Sequence, residues 1–181
     1  MFKKRLSANE KHWDLYFLKV AKDAGSQSKC LSRKIGAALV ADRRYIIATG
    51  YNGPPVGFPH CGERHEDVVC PRRRLGYESG KGLDICPAVH AERNTLLGAA
   101  RQGTSTKGST LYCYCGFPCK DCLIELINAG VKEIVCIKEK EGQSLFYDEL
   151  SKEIYTHYWA NGILTAIVYD KKEVEENHEV S

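Results

Sequence analysis

Two short stretches restrict this chain more than anything else in it: His90-Ala91-Glu92 and Pro118-Cys119-Lys120-Asp121-Cys122. An imidazole and two thiols are donor types that zinc selects, and a catalytic zinc takes three protein ligands and keeps a fourth position for water. A fold that uses them must bring residues 90, 119 and 122 to one point. Apolar Leu96, Leu97, Ala99 and Ala100 follow His90 at helical spacing, so the pattern predicts a helix over 89–102 with His90 and Glu92 at its start. Residues two apart lie about 200° around a helix, so these two meet only where side chains splay past the first turn. Cys119 and Cys122, three apart, share a face, and Pro118 suits the opening of a helix over 120–129. A helix start carries positive partial charge, which favours thiolates. Two helix starts aimed at one ion follow from these residues.

Glu92 is not needed as a fourth ligand. A carboxylate beside zinc-bound water can take its proton and hand it on, and zinc lowers the pKa of that water from about 15.7 to about 7. The hydroxide can attack the amidine-like carbon of an aminopyrimidine or aminopurine. Glu92 would protonate the ring nitrogen beside that carbon, then deliver a proton to departing ammonia. The plainer account is a structural zinc knuckle of four ligands, which a lone Cys-x-x-Cys would favour. Here His-Ala-Glu precedes the pair and Pro precedes the first Cys, a pattern similar to that of zinc-dependent nucleobase deaminases.

At 181 residues the chain reads as one domain, over 1–170, with a charged, mobile tail over 171–181. Its net charge of +3 is too small to argue for nucleic acid as a partner. Nine cysteines are many, yet Met1-Phe-Lys-Lys-Arg leads into polar residues rather than an apolar leader. The expectation is a cytoplasmic protein with reduced thiols that bind metal. No stretch approaches the apolar length of a membrane span, so no membrane partner is expected.

Ser7-Ala-Asn-Glu10 is a capping box, and Trp13, Phe17, Val20, Ala21 and Ala24 then fall at helical spacing up to Gly25. Residues 35–41 and 45–49 read as an antiparallel pair about a turn at 42–44. Gly50-Tyr51-Asn52-Gly53-Pro54-Pro55 reads as a turn, or else as a place where Asn52 offers its amide to a ligand's sugar hydroxyls or phosphate. Residues 56–87 are the least regular. A loop that long in a compact domain is functional or pinned. Cys30, Cys61, Cys70 and Cys86 could pin it as a second, closed zinc site, with His60 or His65 able to replace one; otherwise they are scattered thiols. Arg72-Arg73-Arg74 reads as a solvated face or a phosphate contact. Further strands fall at 110–115, 133–137 and 164–169, with a helix over 143–159. Cys113, Cys115 and Cys136 read as small, inert, buried strand residues. A hairpin followed by alternating helices and strands gives a three-layer α/β/α sandwich around a five-stranded mixed sheet.

With these residues placed, the chain resembles the deoxycytidylate (dCMP) deaminase family of the cytidine deaminase-like superfamily. The resemblance covers roughly residues 10–170. It rests on Lys34-Ile-Gly-Ala-Ala-Leu-Val40, Gly50-Tyr-Asn-Gly53, His90-Ala-Glu-Arg-Asn94 and Phe117-Pro-Cys-Lys-Asp-Cys122. Gly-Tyr-Asn-Gly narrows it to the dCMP branch. The resemblance implies a catalytic zinc on His90, Cys119 and Cys122, with Glu92 as proton shuttle and Asn52 and the Ala91 backbone on the nucleotide. It implies conversion of dCMP to dUMP for thymidylate synthesis, in a homo-oligomer that is often a hexamer. It also implies activation by dCTP and inhibition by dTTP with Mg²⁺, through a site between subunits that uses Gly50, Tyr51, Asn52, Gly53 and Arg101. Cys30 and Cys61 stand where some members hold a second, structural zinc. Two departures stand out: Cys115 replaces a common Thr, and the stretch 142–147 lacks a Tyr-Arg pair that some members place near the phosphate. Arg33, Lys34 and Tyr147 are the remaining candidates for phosphate. Competing readings are action on dCTP or on a tRNA adenine, and a non-catalytic, zinc-stabilised binding module.

Overall fold

The computed structural model describes residues 2–5, 7–61, 70–78, 81–138, 144–146 and 148–176. His65 and Tyr147 lie outside these residues. Ser7 caps helix α1 (Ala8–Ser26) by accepting the Glu10 N–H, as the capping box requires. Strands β1 (Gly36–Ala41) and β2 (Tyr45–Tyr51) form the antiparallel pair. A short helix α2 (Pro71–Arg74) and a 3₁₀ turn (Leu83–Ile85) interrupt the irregular stretch. Then come α3 (Ala91–Arg101), β3 (Thr110–Cys113), α4 (Lys120–Asn128), β4 (Glu133–Lys138), α5 (Glu149–Ala160), β5 (Thr165–Asp170) and α6 (Lys171–Glu176).

The sheet has five strands in the order β2-β1-β3-β4-β5. β1 pairs antiparallel with β2 and β3, while β3, β4 and β5 run parallel, so the sheet is mixed as expected. Its central strands are covered on both faces, and side chains alternate between two cores. Ala38, Val40, Tyr112, Val135 and Ile137 face Phe17, Leu18 and Ala21 of α1. Ala37, Leu39, Leu111, Cys113 and Cys136 face α3, α4 and α5. α1 lies very close to β1, because a methyl placed on Gly36 would stand 1.9 Å from the Ala21 carbonyl. No helix among the described residues is long and apolar enough to cross a membrane.

Three boundaries differ from the sequence reading. The helix expected over 143–159 begins at Glu149, because Asp148 accepts the Ser151 N–H at 2.6 Å and acts as its cap. The turn expected at 50–55 is extended chain instead: β2 continues to Tyr51, and Gly53 exchanges two backbone hydrogen bonds with Val89, at 3.1 and 2.7 Å. The tail expected to be mobile is helical over Lys171–Glu176 and buries Val174 against the α1 side of the sheet. That one apolar residue in a charged run supplies the contact.

Candidate active site

His90 and Cys119 are the cap residues of α3 and α4, both extended, and Cys122 falls in the first turn of α4. The two helix starts open at one end of the sheet. Their donor atoms meet there: His90 Nδ1 stands 3.3 Å from Cys122 Sγ and 3.5 Å from Cys119 Sγ. All three donor atoms lie within 4.8 Å of one another. Tetrahedral zinc, with Zn–S near 2.3 Å and Zn–N near 2.0 Å, places nitrogen and sulfur about 3.5 Å apart. The donor set and its spacing fit that ion, with Nδ1 as the nitrogen presented.

Without metal, the trio divides its protons unevenly. The hydrogen bond from Cys122, followed by that to His90, lowers the Cys119 thiol to about 4. The same Cys119 contact, aided by burial, pushes Cys122 up. The pair therefore carries one thiolate, on Cys119, and the hydrogen bond to it raises His90. A thiolate at a helix start beside an imidazole is a site prepared for a cation.

Glu92 follows in the first turn of α3 and is only 5% exposed. Burial raises its carboxyl above the ordinary 4.5, against the pull of His90 and Arg33. Its carboxylate lies within 4.8 Å of the Cys113 and Cys115 thiols, at the end of β3. Burial likewise holds the Cys136 thiol well up, and Cys113, hydrogen-bonded to Cys115, is held up too, consistent with inert thiols.

A cavity of about 360 Å³ connects these groups, with His90, Ala91, Glu92 and Cys119 in its lining. Asn52 also lines it. Its side-chain amide braces the chain before β1: Oδ1 accepts the Ile35 N–H at 2.8 Å, and Nδ2 donates to the Arg33 carbonyl at 2.9 Å. Gly50 serves packing rather than a turn. A methyl there would stand 2.7 Å from both the Ala91 oxygen and the Thr95 nitrogen, so β2 rests directly on the start of α3. Tyr51 is exposed and accepts a hydrogen bond from Asn94, while Arg101 is exposed at the far end of α3.

The thiols Cys61, Cys70 and Cys86 of the irregular stretch and Cys30 from the loop before β1 come near one another without closing as tightly as the first trio. Burial, the hydrogen bond to Cys70 and the nearness of Cys30 and Cys86 all raise Cys61. Among the described residues, no three of these four have sulfurs mutually within 4.8 Å. The arginine run divides: Arg73 and Arg74 are exposed, as a solvated face would be, while Arg72 is buried and lines the cavity. Arg72 is 6% exposed and donates to the Glu78 and Lys81 carbonyls, and Arg73 donates to the Leu31 carbonyl. Arg72 and Arg73 thus satisfy backbone carbonyls of loop residues.

The sequence reading did not identify Phe117, Ile137, Lys138, Leu145 and Phe146 as cavity lining. A topological signal for two of them exists: ligands bind beyond the carboxyl ends of parallel strands, and Ile137 and Lys138 end β4. Phe146 carries no such signal, since the sequence pattern placed it inside a helix over 143–159 that begins only at Glu149.

The chain belongs to the cytidine and deoxycytidylate deaminase family, whose zinc-binding region matches residues 11–138. It is 40% identical to the deoxycytidylate deaminase of Schizosaccharomyces pombe over 124 residues, 68% of this chain and 36% of that protein. It is 39% identical to the deoxycytidylate deaminase of Mycobacterium phage D29 over 132 residues, 70% of this chain and 95% of that protein. The match thus spans little more than a third of the fission yeast relative. The crystal structure of dCMP deaminase from the cyanophage S-TIM5 in complex with dCMP and dUMP superposes with a TM-score of 0.62 at 25% identity, covering 91% of this chain and 100% of that one.

Proposed function

We propose that the chain hydrolyses dCMP to dUMP and ammonia. The observation that carries this reading is a nearly dry carboxyl, Glu92, on the same cavity as a nitrogen–sulfur–sulfur trio spaced for zinc. His90, Cys119 and Cys122 hold the ion. When bound, zinc supplies the Lewis acidity that makes water a nucleophile near neutral pH. Glu92 carries the protons. Its burial favours the protonated form, which suits it to protonate the ring nitrogen beside the reacting carbon. It then recovers a proton from the added water and passes one to the leaving amino group. One water is consumed and one ammonia leaves. Ala91 and Asn52 contact the nucleotide from the lining, Asn52 through the amide N–H that Arg33 does not take. The names of the relatives and the ligands of the cyanophage structure support dCMP as substrate.

The reading extends to a cytoplasmic hexamer that feeds thymidylate synthesis, activated by dCTP and inhibited by dTTP with Mg²⁺. Gly50, Tyr51, Asn52, Gly53 and Arg101 serve the effector. The exposed Tyr51 on edge strand β2 and the exposed Arg101 on the adjoining helix support that placement. Cys30, Cys61, Cys70 and Cys86 hold a second, structural zinc, supported by the grouping around Cys61.

Ammonia release from dCMP, dCTP and cytidine, each with and without dTTP, tests the assignment. Turnover of dCMP with little of cytidine is expected, and a zinc-loaded protein that leaves dCMP untouched rejects the substrate. A sigmoidal rate curve that dCTP makes hyperbolic is expected, and its absence rejects the effector site. Zinc quantitation should give two ions per chain; one ion removes the four-thiol site.

A further inference from the structure

We infer that the segment Phe2–Arg5 is a strap that sets one wall of the substrate cavity, with Phe2 as a positioning residue; the word substrate here rests on the function proposed above. The Phe2 ring stacks on Tyr155 of α5, with centroids 5.6 Å apart and planes 8° from parallel. It also stacks on Phe146 at 5.9 Å. Phe146 meets Phe117 at 5.0 Å, and Phe117 meets Tyr155 at 5.0 Å. Four rings therefore form one contiguous group, and two of them, Phe117 and Phe146, line the cavity. The backbone repeats the link, because the Phe117 N–H donates to the Leu145 carbonyl at 3.3 Å. Phe117 stands two residues before Cys119, so the group reaches from the strap to the edge of the trio.

The strap is itself held firmly. Lys3 donates its N–H to the Ala166 carbonyl at 2.9 Å and pairs in parallel with Ile167 of β5. Arg5 binds Asp14 of α1 and Glu133 of β4, at 2.6 and 2.7 Å. These contacts alone would shield the β5 edge of the sheet. Phe2 does something further: it is 37% exposed, and its ring stacks on Tyr155 and Phe146. Residues 144–146 form neither helix nor strand, so the Phe146 ring is fixed by its neighbours rather than by a backbone ladder. Phe2 is the neighbour on the side away from the cavity.

Phe2→Ala tests this, with Phe2→Tyr as the ring-preserving variant. The first readout needs no turnover: hydrogen exchange in peptides covering 114–119 and 144–146. Phe2→Ala should speed exchange there while leaving β1 and β3 unchanged, and Phe2→Tyr should restore protection. The second is a split of kinetic constants for dCMP. KM should rise about 3- to 10-fold with kcat within about twofold, the size expected for lost aromatic pairs, at unchanged zinc content. Unchanged exchange at 114–119 and 144–146, or exchange raised equally across the sheet, overturns the strap. Failure of the wild type to deaminate dCMP overturns the function instead, with the exchange result still deciding the strap.

Discussion

Glu92 is a carboxyl with almost no water around it, and that fact has two measurable consequences. Glu92→Gln keeps the shape but cannot exchange protons, so turnover should fall by about 10²- to 10⁴-fold while zinc content stays level. A variant that retained full turnover would show the carboxyl to be a bystander. Stability moves the other way. Burial raises Glu92 above the ordinary 4.5, so the folded chain holds this proton more tightly than the unfolded one. The stabilisation is complete below the ordinary value and is lost as pH rises through the raised one. Glutamine has no charge to desolvate. In zinc-free protein, Glu92→Gln should therefore melt above wild type at pH 7, and the two Tm values should converge below about pH 4. Equal melting at pH 7 would mean that water reaches the carboxylate. The residue's identity was readable from His-Ala-Glu alone, whereas its dryness was not, because Cys113 ends β3 and Cys115 follows it, some twenty residues later.

At the scale of elements, the site depends on how closely β2 seats on α3. Gly50 is the point of contact, 2.7 Å from the helix backbone for an added methyl. Neither chain can yield there without moving the turn that carries His90 and Glu92. Gly50→Ala should cost about 1–3 kcal/mol by thermal melts and should weaken zinc retention against a chelator. Gly98, in the same helix, meets only the Ala48 methyl at 3.4 Å. Gly98→Ala should therefore be neutral or stabilise by up to about 1 kcal/mol, the helix-propensity gain. If both variants melt alike, the seating argument is wrong. The sequence made Gly-Tyr-Asn-Gly look like a turn because such residues form turns in isolation. In the folded chain Gly50 provides close approach to α3, and Gly53 pairs through its backbone with Val89, beside the candidate ligand His90.

Across the whole molecule, one buried ionic group ties parts distant in sequence. Arg5 grips Asp14, which is 1% exposed and also accepts the hydroxyls of Tyr112 and Tyr169. Glu133 receives Arg5 and Arg43 together. Such a group adds little when complete but is costly to break, since a charge is then left without its partner. Arg5→Ala should cost about 3–5 kcal/mol in urea unfolding. Combining it with Asp14→Asn should cost less than the sum of the two single changes. Strict additivity would mean that the two residues do not act as a pair.

The sequence by itself singled out the candidate donors His90, Cys119 and Cys122, the carboxyl that accompanies them, and the layered order of helices and strands. Those are local matters: residue chemistry, three-residue spacing on a helix, and alternation along a strand. Only the tertiary structure decided that Asn52 braces residues 33–35, that Arg72 holds a loop, and that Phe2 lies behind the cavity wall. Each of these is a contact between segments whose separation in sequence carries no period. Such contacts are set when the whole chain packs and every buried polar group must find a partner.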